Sequence, residues 1–301
     1  IIVRSGKELS SPALPDRLSH GAVVEELAHE DKRLCFRKLF GRGPYIGWVS
    51  PQVKDKSIVV KTDKTPETAE EMTRRLVFGY MPDVAPAASF VELPPPVPSS
   101  RKPRIAVLHG TCGSTRVMQD QIAHLMRVAK GFEFVFIEGQ LEVDESHPLA
   151  QVARPFYKKE VFRQFVLPTE TEFGWRTYDG LKEGVEHIQA SLKEHEPVDA
   201  LLGFSQGSNL ASIIAAQAAM GLGVPFRCVL HFCTMQPGWA RQMPELFREP
   251  LPVPALIVKG VLDTVTYGAD EAAALYRTVE RAEHSDAHRP FPRDVKEARE
   301  L

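Results

Sequence analysis

The stretch Val198-Asp199-Ala200-Leu201-Leu202-Gly203-Phe204-Ser205-Gln206-Gly207-Ser208-Asn209-Leu210-Ala211 runs from apolar residues to small ones through a glycine-flanked serine. The apolar part suits a strand covered on both faces, and the small-residue part suits a helix lying close against a sheet. Gly203-Phe204-Ser205-Gln206-Gly207 between them fits the strand-turn-helix setting in which a serine is exposed on a sharp turn at the carboxyl end of a strand. The glycines have a steric task. A serine held in so tight a turn leaves no room for side chains two residues before and after it. The helix start behind it aims positive dipole at the serine oxygen. Five residues alone would equally fit a glycine-rich turn with a capping serine; the flanking strand and helix favour a nucleophile.

Outward from this turn, short apolar runs alternate with amphipathic stretches. Residues 104–109, 132–138, 198–204, 226–232 and 254–259 are apolar segments bounded by turns, whereas 114–130, 178–195, 206–220 and 269–282 carry helical periodicity. Repeated strand, helix, strand predicts an α/β fold: an open, mostly parallel sheet with helices on both faces. Ligands in such sheets bind beyond the carboxyl ends of the strands, so the chemistry is expected in the loops after 109, 138, 204, 232 and 259.

A serine hydroxyl is a poor nucleophile at neutral pH. It needs a histidine to take its proton and a carboxylate to fix that histidine's tautomer. On this kind of elbow the acid follows the serine in the chain and the histidine comes last. Pro254-Ala255-Leu256-Ile257-Val258-Lys259-Gly260-Val261-Leu262-Asp263 is a strand ending in glycine and then aspartate, which puts Asp263 at the carboxyl edge. Its plainer reading is a turn aspartate bonding its own backbone. Asp199 precedes the nucleophile strand and lies at the wrong end. Of ten histidines only His284 and His288 follow Asp263, both in the polar, turn-like Glu283-His284-Ser285-Asp286-Ala287-His288-Arg289-Pro290. His124, His187 and His195 fall in helical stretches and read as surface or packing residues.

The developing oxyanion needs N–H donors, one from Gln206, the residue after the nucleophile. The second is expected from Thr111, in the turn Leu108-His109-Gly110-Thr111-Cys112-Gly113-Ser114 after the first strand. His109 reads as a brace for that turn, and Cys112 as a pocket wall. Residues 140–171 suit a cap lined by Phe156, Tyr157, Phe162, Phe165 and Val166, although ordinary core packing accounts for these residues equally well.

The 24 prolines are unevenly placed, with Pro82, Pro86, Pro94, Pro95, Pro96, Pro98 and Pro103 crowded together. Proline fixes φ and removes a backbone donor, so 80–102 reads as a stiff, extended connector. Three parts follow: a small all-β unit over 1–62, a short helix and Pro-rich linker over 63–102, and a catalytic unit over 103–301. Residues 1–4, 22–27, 33–37, 46–49 and 57–61 read as short strands separated by turns such as Gly41-Arg42-Gly43-Pro44, a pattern of small barrels or sandwiches. Thr65-Pro66-Glu67-Thr68-Ala69-Glu70 then opens the helix, with proline in the first turn and acids at the positive end of the dipole.

Gly43-Pro44-Tyr45-Ile46-Gly47-Trp48-Val49-Ser50, with Gly21-Ala22-Val23-Val24-Glu25-Glu26-Leu27 as an earlier strand, resembles the Gly-Trp-Val signature of bacterial-type SH3-like domains. Leu108-His109-Gly110, Gly203-Phe204-Ser205-Gln206-Gly207-Ser208 and the histidine segment 284–292 together resemble the FSH family of serine hydrolases, which has the α/β-hydrolase fold. Phe136-Ile137-Glu138-Gly139, Phe173-Gly174-Trp175 leading to Tyr178-Asp179-Gly180-Leu181, and Val261-Leu262-Asp263-Thr264-Val265 extend the likeness through 103–292. The resemblance implies a Ser, Asp, His hydrolase of carboxylic esters or thioesters, carried onto Ser205, Asp263 and His288, and it prefers His288 to His284. The family usually places two glycines before its histidine, where this chain has Asp286-Ala287. The Phe-Ser-Gln-Gly core also occurs in acyl-protein thioesterases and dienelactone hydrolases. The expected activity is therefore hydrolysis of a small acyl ester or thioester through an acyl-enzyme on Ser205, with no cofactor and no metal. The competing expectation is a catalytically weak hydrolase fold serving as an interaction module. In it the SH3-like part recruits a protein or a Pro-rich peptide of the kind the chain itself carries at Pro94-Pro95-Pro96-Val97-Pro98.

Composition agrees with this reading. The 301 residues are 43% hydrophobic and 25% charged, and 37 basic against 39 acidic residues leave a net charge of −2, which offers no electrostatic pull toward nucleic acid or anionic lipid. No apolar run reaches the roughly 18 residues of a bilayer-spanning helix. Cys35, Cys112, Cys228 and Cys233 show no CxxC spacing, which speaks against a zinc site and for a reducing, cytoplasmic setting. The start at Ile1-Ile2-Val3 reads as a fragment or a processed form, compatible with a removed targeting segment.

Overall fold

The computed structural model describes residues 1–18, 22–40, 43–44, 46–54, 56–63, 66–79, 81–98, 100–169, 175–263, 268–294 and 296–300. Within the expected signatures, Gly21, Gly41, Arg42, Tyr45, Thr65, Phe173, Gly174, Thr264 and Val265 lie outside the described residues.

The amino-terminal part forms an antiparallel sheet of β1 (Ile2–Arg4), β2 (Ala13–Arg17), β3 (Val23–Glu30), β4 (Arg33–Phe40) and β5 (Ile46–Val49), in the order β2-β1-β5-β4-β3. Alternation along the strands puts Val3, Leu34, Phe36 and Val49 on one face, where they pack with Leu18. Two expectations need correction. Ala13–Arg17 is a strand although it contains Pro15; β2 lies at the sheet edge, where a missing donor is tolerated. Residues 57–61 do not form a strand, and only Lys56–Ser57 pairs, with Gln52–Val53.

Helix α1 (Pro66–Gly79) packs between β4 and the helix at Ala269–Ala273, with Val77 fully buried in the main core. The Pro-rich segment that follows is extended, yet it is no free connector. Ala87 donates its N–H to Glu245 O at 2.9 Å, Val91 donates to Ala219 O at 2.8 Å, and Arg227 Nη1 donates to the Pro94 carbonyl at 2.8 Å. Arg248 bonds Asp83 and the Pro82 carbonyl, and Arg277 lies over the Phe90 ring, while Met81, Ala88 and Phe90 pack on the main core. At its far end Arg101 forks onto Asp199, whose carboxylate also accepts the Arg104 N–H; these bonds hold the Asp199 pKa below its ordinary value. Asp199 thus fastens the strap to the amino edge of the sheet, away from the chemistry.

The large sheet is parallel throughout. It contains β6 (Arg104–Leu108), β7 (Glu133–Ile137), β8 (Ala200–Phe204), β9 (Cys228–Phe232), β10 (Ala255–Gly260) and β11 (Val279–His284), in the order β11-β10-β9-β8-β6-β7. β8 is buried at every residue. Its side chains divide between a core on one face, with Leu201 against α2 (Leu181–Glu194) and α3 (Gln206–Ala219), and a core on the other, with Leu202 and Phe204 against Met118 and Ile122. Chain order reverses at β6, so the crevice between β6 and β8 is the topological switch point where ligands are expected.

The helix expected over 114–130 is broken at Ile122 into Thr115–Gln121 and Ala123–Val128, the first capped by Ser114 Oγ accepting the Val117 N–H at 3.2 Å. The helix expected over 269–282 ends at Ala273, and the chain continues as β11. Among the described residues no helix is long and apolar enough to cross a membrane.

Candidate active site

Ser205 stands at the end of β8 with φ 52° and ψ −113°, a conformation that L-residues rarely adopt. Its N–H still donates to Phe232 O at 2.9 Å, and its carbonyl accepts the Asn209 N–H as α3 begins. The strain is enforced by close backbone packing. A Cβ on Gly203 would run into the Gly207 backbone, and one on Gly207 would lie 2.5 Å from Leu108 O and 2.6 Å from His109 O. The G-x-S-x-G spacing is therefore a record of two backbone contacts. Gly110, on the β6 side of the crevice, lets its loop approach Ser205; a Cβ there would sit 3.1 Å from Ser205 Cβ and from the Phe204 ring.

Gln206 contributes more than a backbone N–H. Its buried side chain accepts the Phe165 N–H at 2.8 Å and the Val166 N–H at 3.3 Å, and donates to Thr111 Oγ1 and Val166 O, both at 3.0 Å. One amide thereby ties the elbow to the Thr111 loop and to the returning strap of the cap region, a role with no local sequence signal. Neither the Thr111 N–H nor the Gln206 N–H has a protein acceptor among the described residues. His109 is buried: its Nε2 lies 2.9 Å from the Gly139 N–H nitrogen and 3.3 Å from Glu138 Oε1, and its Nδ1 lies 2.8 Å from Gly110 O. It bridges the turns after β6 and β7.

Asp263 follows β10 and His288 lies in the loop after β11. Asp263 Oδ2 and His288 Nδ1 are 2.9 Å apart, and the imidazole lies beside the elbow, its ring centroid 5.0 Å from that of Phe204. The Ser205 hydroxyl makes no hydrogen bond to His288 among the described residues. Such bonds are often long without substrate and tighten in the complex. Asp286 and Ala287 both avoid positive φ, so the loop turns without the glycines of the family pattern. Instead, Asp286 accepts the Arg293 N–H at 2.8 Å, Glu297 takes the Ser285 N–H and hydroxyl at 2.6 and 2.7 Å, and His284 Nε2 lies 3.0 Å from the Arg289 carbonyl. His284 is buried and braces the loop from beneath; burial lowers its pKa.

Two cysteines also reach this region. Cys112, on the Thr111 loop, is buried with Val117, Ala150 and Phe162, and burial raises its thiol pKa to about 11. Cys233, just past β9, is buried at positive φ with Sγ donating to Arg289 O at 3.2 Å; burial, then the nearby Asp263 charge, raises its thiol pKa well above the ordinary value. Behind the elbow, buried His231 reaches Ser208 Oγ and Tyr276 OH at 3.1 and 2.7 Å. The cap lining expected from aromatic residues is only partly seen. Phe162, Phe165 and Val166 are fully buried core residues, whereas Phe156 is 81% exposed and faces solvent.

A strained serine at the switch point of a parallel α/β sheet, with an aspartate–histidine pair on the following loops, defines an α/β-hydrolase. The model for the family described as serine hydrolase (FSH1) matches residues 99–299, and the chain belongs to that family. It is similar to esterase alnB of Emericella nidulans (28% identity over 137 residues; 44% of this chain, 43% of the relative) and to esterase FPY3 of Fusarium mangiferae (24%; 44% and 58%). An uncharacterized hydrolase of Schizosaccharomyces pombe shares 28% over 216 residues, 64% of this chain and 49% of its own. The chain spans about half the length of these curated relatives. Among solved structures, the Bacillus cereus carboxylesterase is similar at 16% identity and TM-score 0.42, covering 66% of this chain and 86% of its own. Arabidopsis thaliana SOBER1 is similar at 16% and 0.43, covering 66% and 95%.

Proposed function

We propose that this serine hydrolase cleaves small carboxylic esters or thioesters through an acyl-enzyme on Ser205, with His288 as base and Asp263 as its orienting acid. The observation that carries the reading is the 2.9 Å contact between His288 Nδ1 and Asp263 on an imidazole set beside the strained elbow. With Nδ1–H donated to Asp263, Nε2 is left to take the Ser205 proton as Oγ attacks the acyl carbonyl. The N–H groups of Thr111 and Gln206 receive the oxyanion, and the Gln206 side chain holds them in register. The imidazolium then gives its proton to the departing alcohol or thiol, and water releases the acyl group by the reverse sequence.

The antiparallel sheet over 1–62 is read as SH3-like, supported by Gly47-Trp48-Val49 in β5, where a Cβ on Gly47 would collide with Val3. It offers a surface for a protein or Pro-rich peptide partner, with 63–102 as strap and 103–301 as catalytic body. Four free cysteines support a cytoplasmic setting.

The test is hydrolysis of p-nitrophenyl acyl esters, with fluorophosphonate labelling alongside. Ser205→Ala should lower kcat on the order of 10⁴-fold or more and abolish labelling. An unchanged rate in the variant, or no labelling of the parent protein, would sink the assignment, and the second outcome would favour an interaction module.

A further inference from the structure

Three potential metal ligands converge from separate loops beyond β9, β10 and β11. One ligand atom each from Cys233, Asp263 and His288 lies within 4.8 Å of the others. A thiolate, a carboxylate and a neutral imidazole together carry two negative charges, which a divalent cation neutralises, and the sulfur selects a thiophilic ion over magnesium or calcium. Zinc takes bonds of about 2.3 Å to sulfur and about 2.0–2.2 Å to nitrogen or oxygen, so its tetrahedral ligands stand roughly 3.3–3.6 Å apart. Asp263 Oδ2 and His288 Nδ1 stand 2.9 Å apart, inside that spacing, and no pair is wider than 4.8 Å, so closure onto the ion needs shifts of at most about 1.5 Å. The Asp263 side chain is 2% exposed and that of His288 is 24% exposed, so the imidazole forms the entrance.

We propose that Cys233, Asp263 and His288 form an inhibitory zinc site beside the elbow. Zinc displaces the thiol proton of Cys233 to solvent and binds Asp263 as the carboxylate. It takes the Nδ1 lone pair of His288, whose ring proton then resides on Nε2. No atom is oxidised or reduced. His288 so held presents an N–H to Ser205 in place of a lone pair and cannot accept the nucleophile's proton. Binding itself does not require a working triad; only the loss of hydrolysis rests on the reading above. Sequence spacing hides such a site because the three ligands come from loops far apart in the chain and meet only when the sheet forms.

The test uses the full chain and cobalt as the spectroscopic probe. Co²⁺ should give a thiolate-to-metal charge-transfer absorption in the near ultraviolet, saturating at one equivalent and displaced by Zn²⁺. Cys233→Ser and Cys233→Ala should lose that band, whereas Cys112→Ser should keep it. Zn²⁺ should suppress ester hydrolysis by the parent protein, reversibly with EDTA. Cys233→Ser should retain metal-free hydrolysis and need about tenfold more zinc or greater for the same suppression. A missing band in the parent, a band that survives both Cys233 substitutions, or equal zinc sensitivity in parent and Cys233→Ser would overturn the proposal. Cobalt binding by Ser205→Ala reports the site even if the acyl-enzyme reading fails.

Discussion

The elbow at 203–207 and the histidine loop at 285–289 face each other across the site, and they are held by different balances of close packing and side-chain bonds. The elbow is fixed by exclusion: Gly203 and Gly207 are pressed against backbone, and Ser205 is forced to φ 52° by its surroundings. The histidine loop also presses its Asp286 and Ala287 carbonyls against Gly260, but it relies more on attachment, through Asp286 to the Arg293 N–H, Ser285 to Glu297 and His284 to the Arg289 carbonyl, with no positive φ among its residues. A loop held by exclusion is brittle toward added volume. One held by several side-chain bonds should lose them one at a time.

The largest effect should come from the loop's own chemistry. His288→Gln should lower kcat/KM on the order of 10⁴-fold, while His284→Gln should cost about tenfold or less together with some stability. Steady-state kinetics of the two variants separate base from brace, and equal losses would move the base to His284.

Next comes acid sensitivity behind the elbow. Burial lowers the His231 pKa from 6.5 to about 4, so the unfolded chain takes up a proton that the folded form refuses. Stability is then fully present above pH 6.5 and falls as pH drops toward 4, by about 3 kcal/mol in all. Urea unfolding across that range should show the slope in the parent and not in His231→Gln. Matching slopes would assign it elsewhere.

Smaller still, Gly207→Ala should destabilise by about 2 kcal/mol through overpacking against Leu108 O and His109 O. Asp286→Ala, which removes one bond to the Arg293 N–H, should cost about 1 kcal/mol or less. Thermal melts that reverse this order would break the contrast between exclusion and attachment.

The same contrast explains what could be read from sequence. Steric exclusion leaves glycines at fixed offsets, so β8, the elbow and α3 are legible from Gly203, Ser205 and Gly207. Attachment through side chains leaves no spacing rule. The bonds of Gln206 to Thr111 and Val166, and the approach of Cys233 to Asp263, arise between segments far apart in sequence. The sixth strand was hidden for another reason. Val279-Glu280-Arg281-Ala282-Glu283-His284 lies at a sheet edge, and its largely exposed, charged residues continue the helical pattern of the residues before it. Pro15 hid β2 at the edge of the small sheet in a similar way.

The strap over 81–98 carries a lesson about where a folding unit begins. Likeness to the hydrolase family starts at residue 99, yet Ala87 and Val91 already lend backbone donors to the hydrolase, and Phe90 packs on its core. Ancestry and cooperativity therefore draw their borders at different places. A chain cut at the first residue of recognisable kinship would leave Glu245 and Ala219 without their backbone partners and lay bare the apolar seat beneath Phe90, a raw edge prone to self-association.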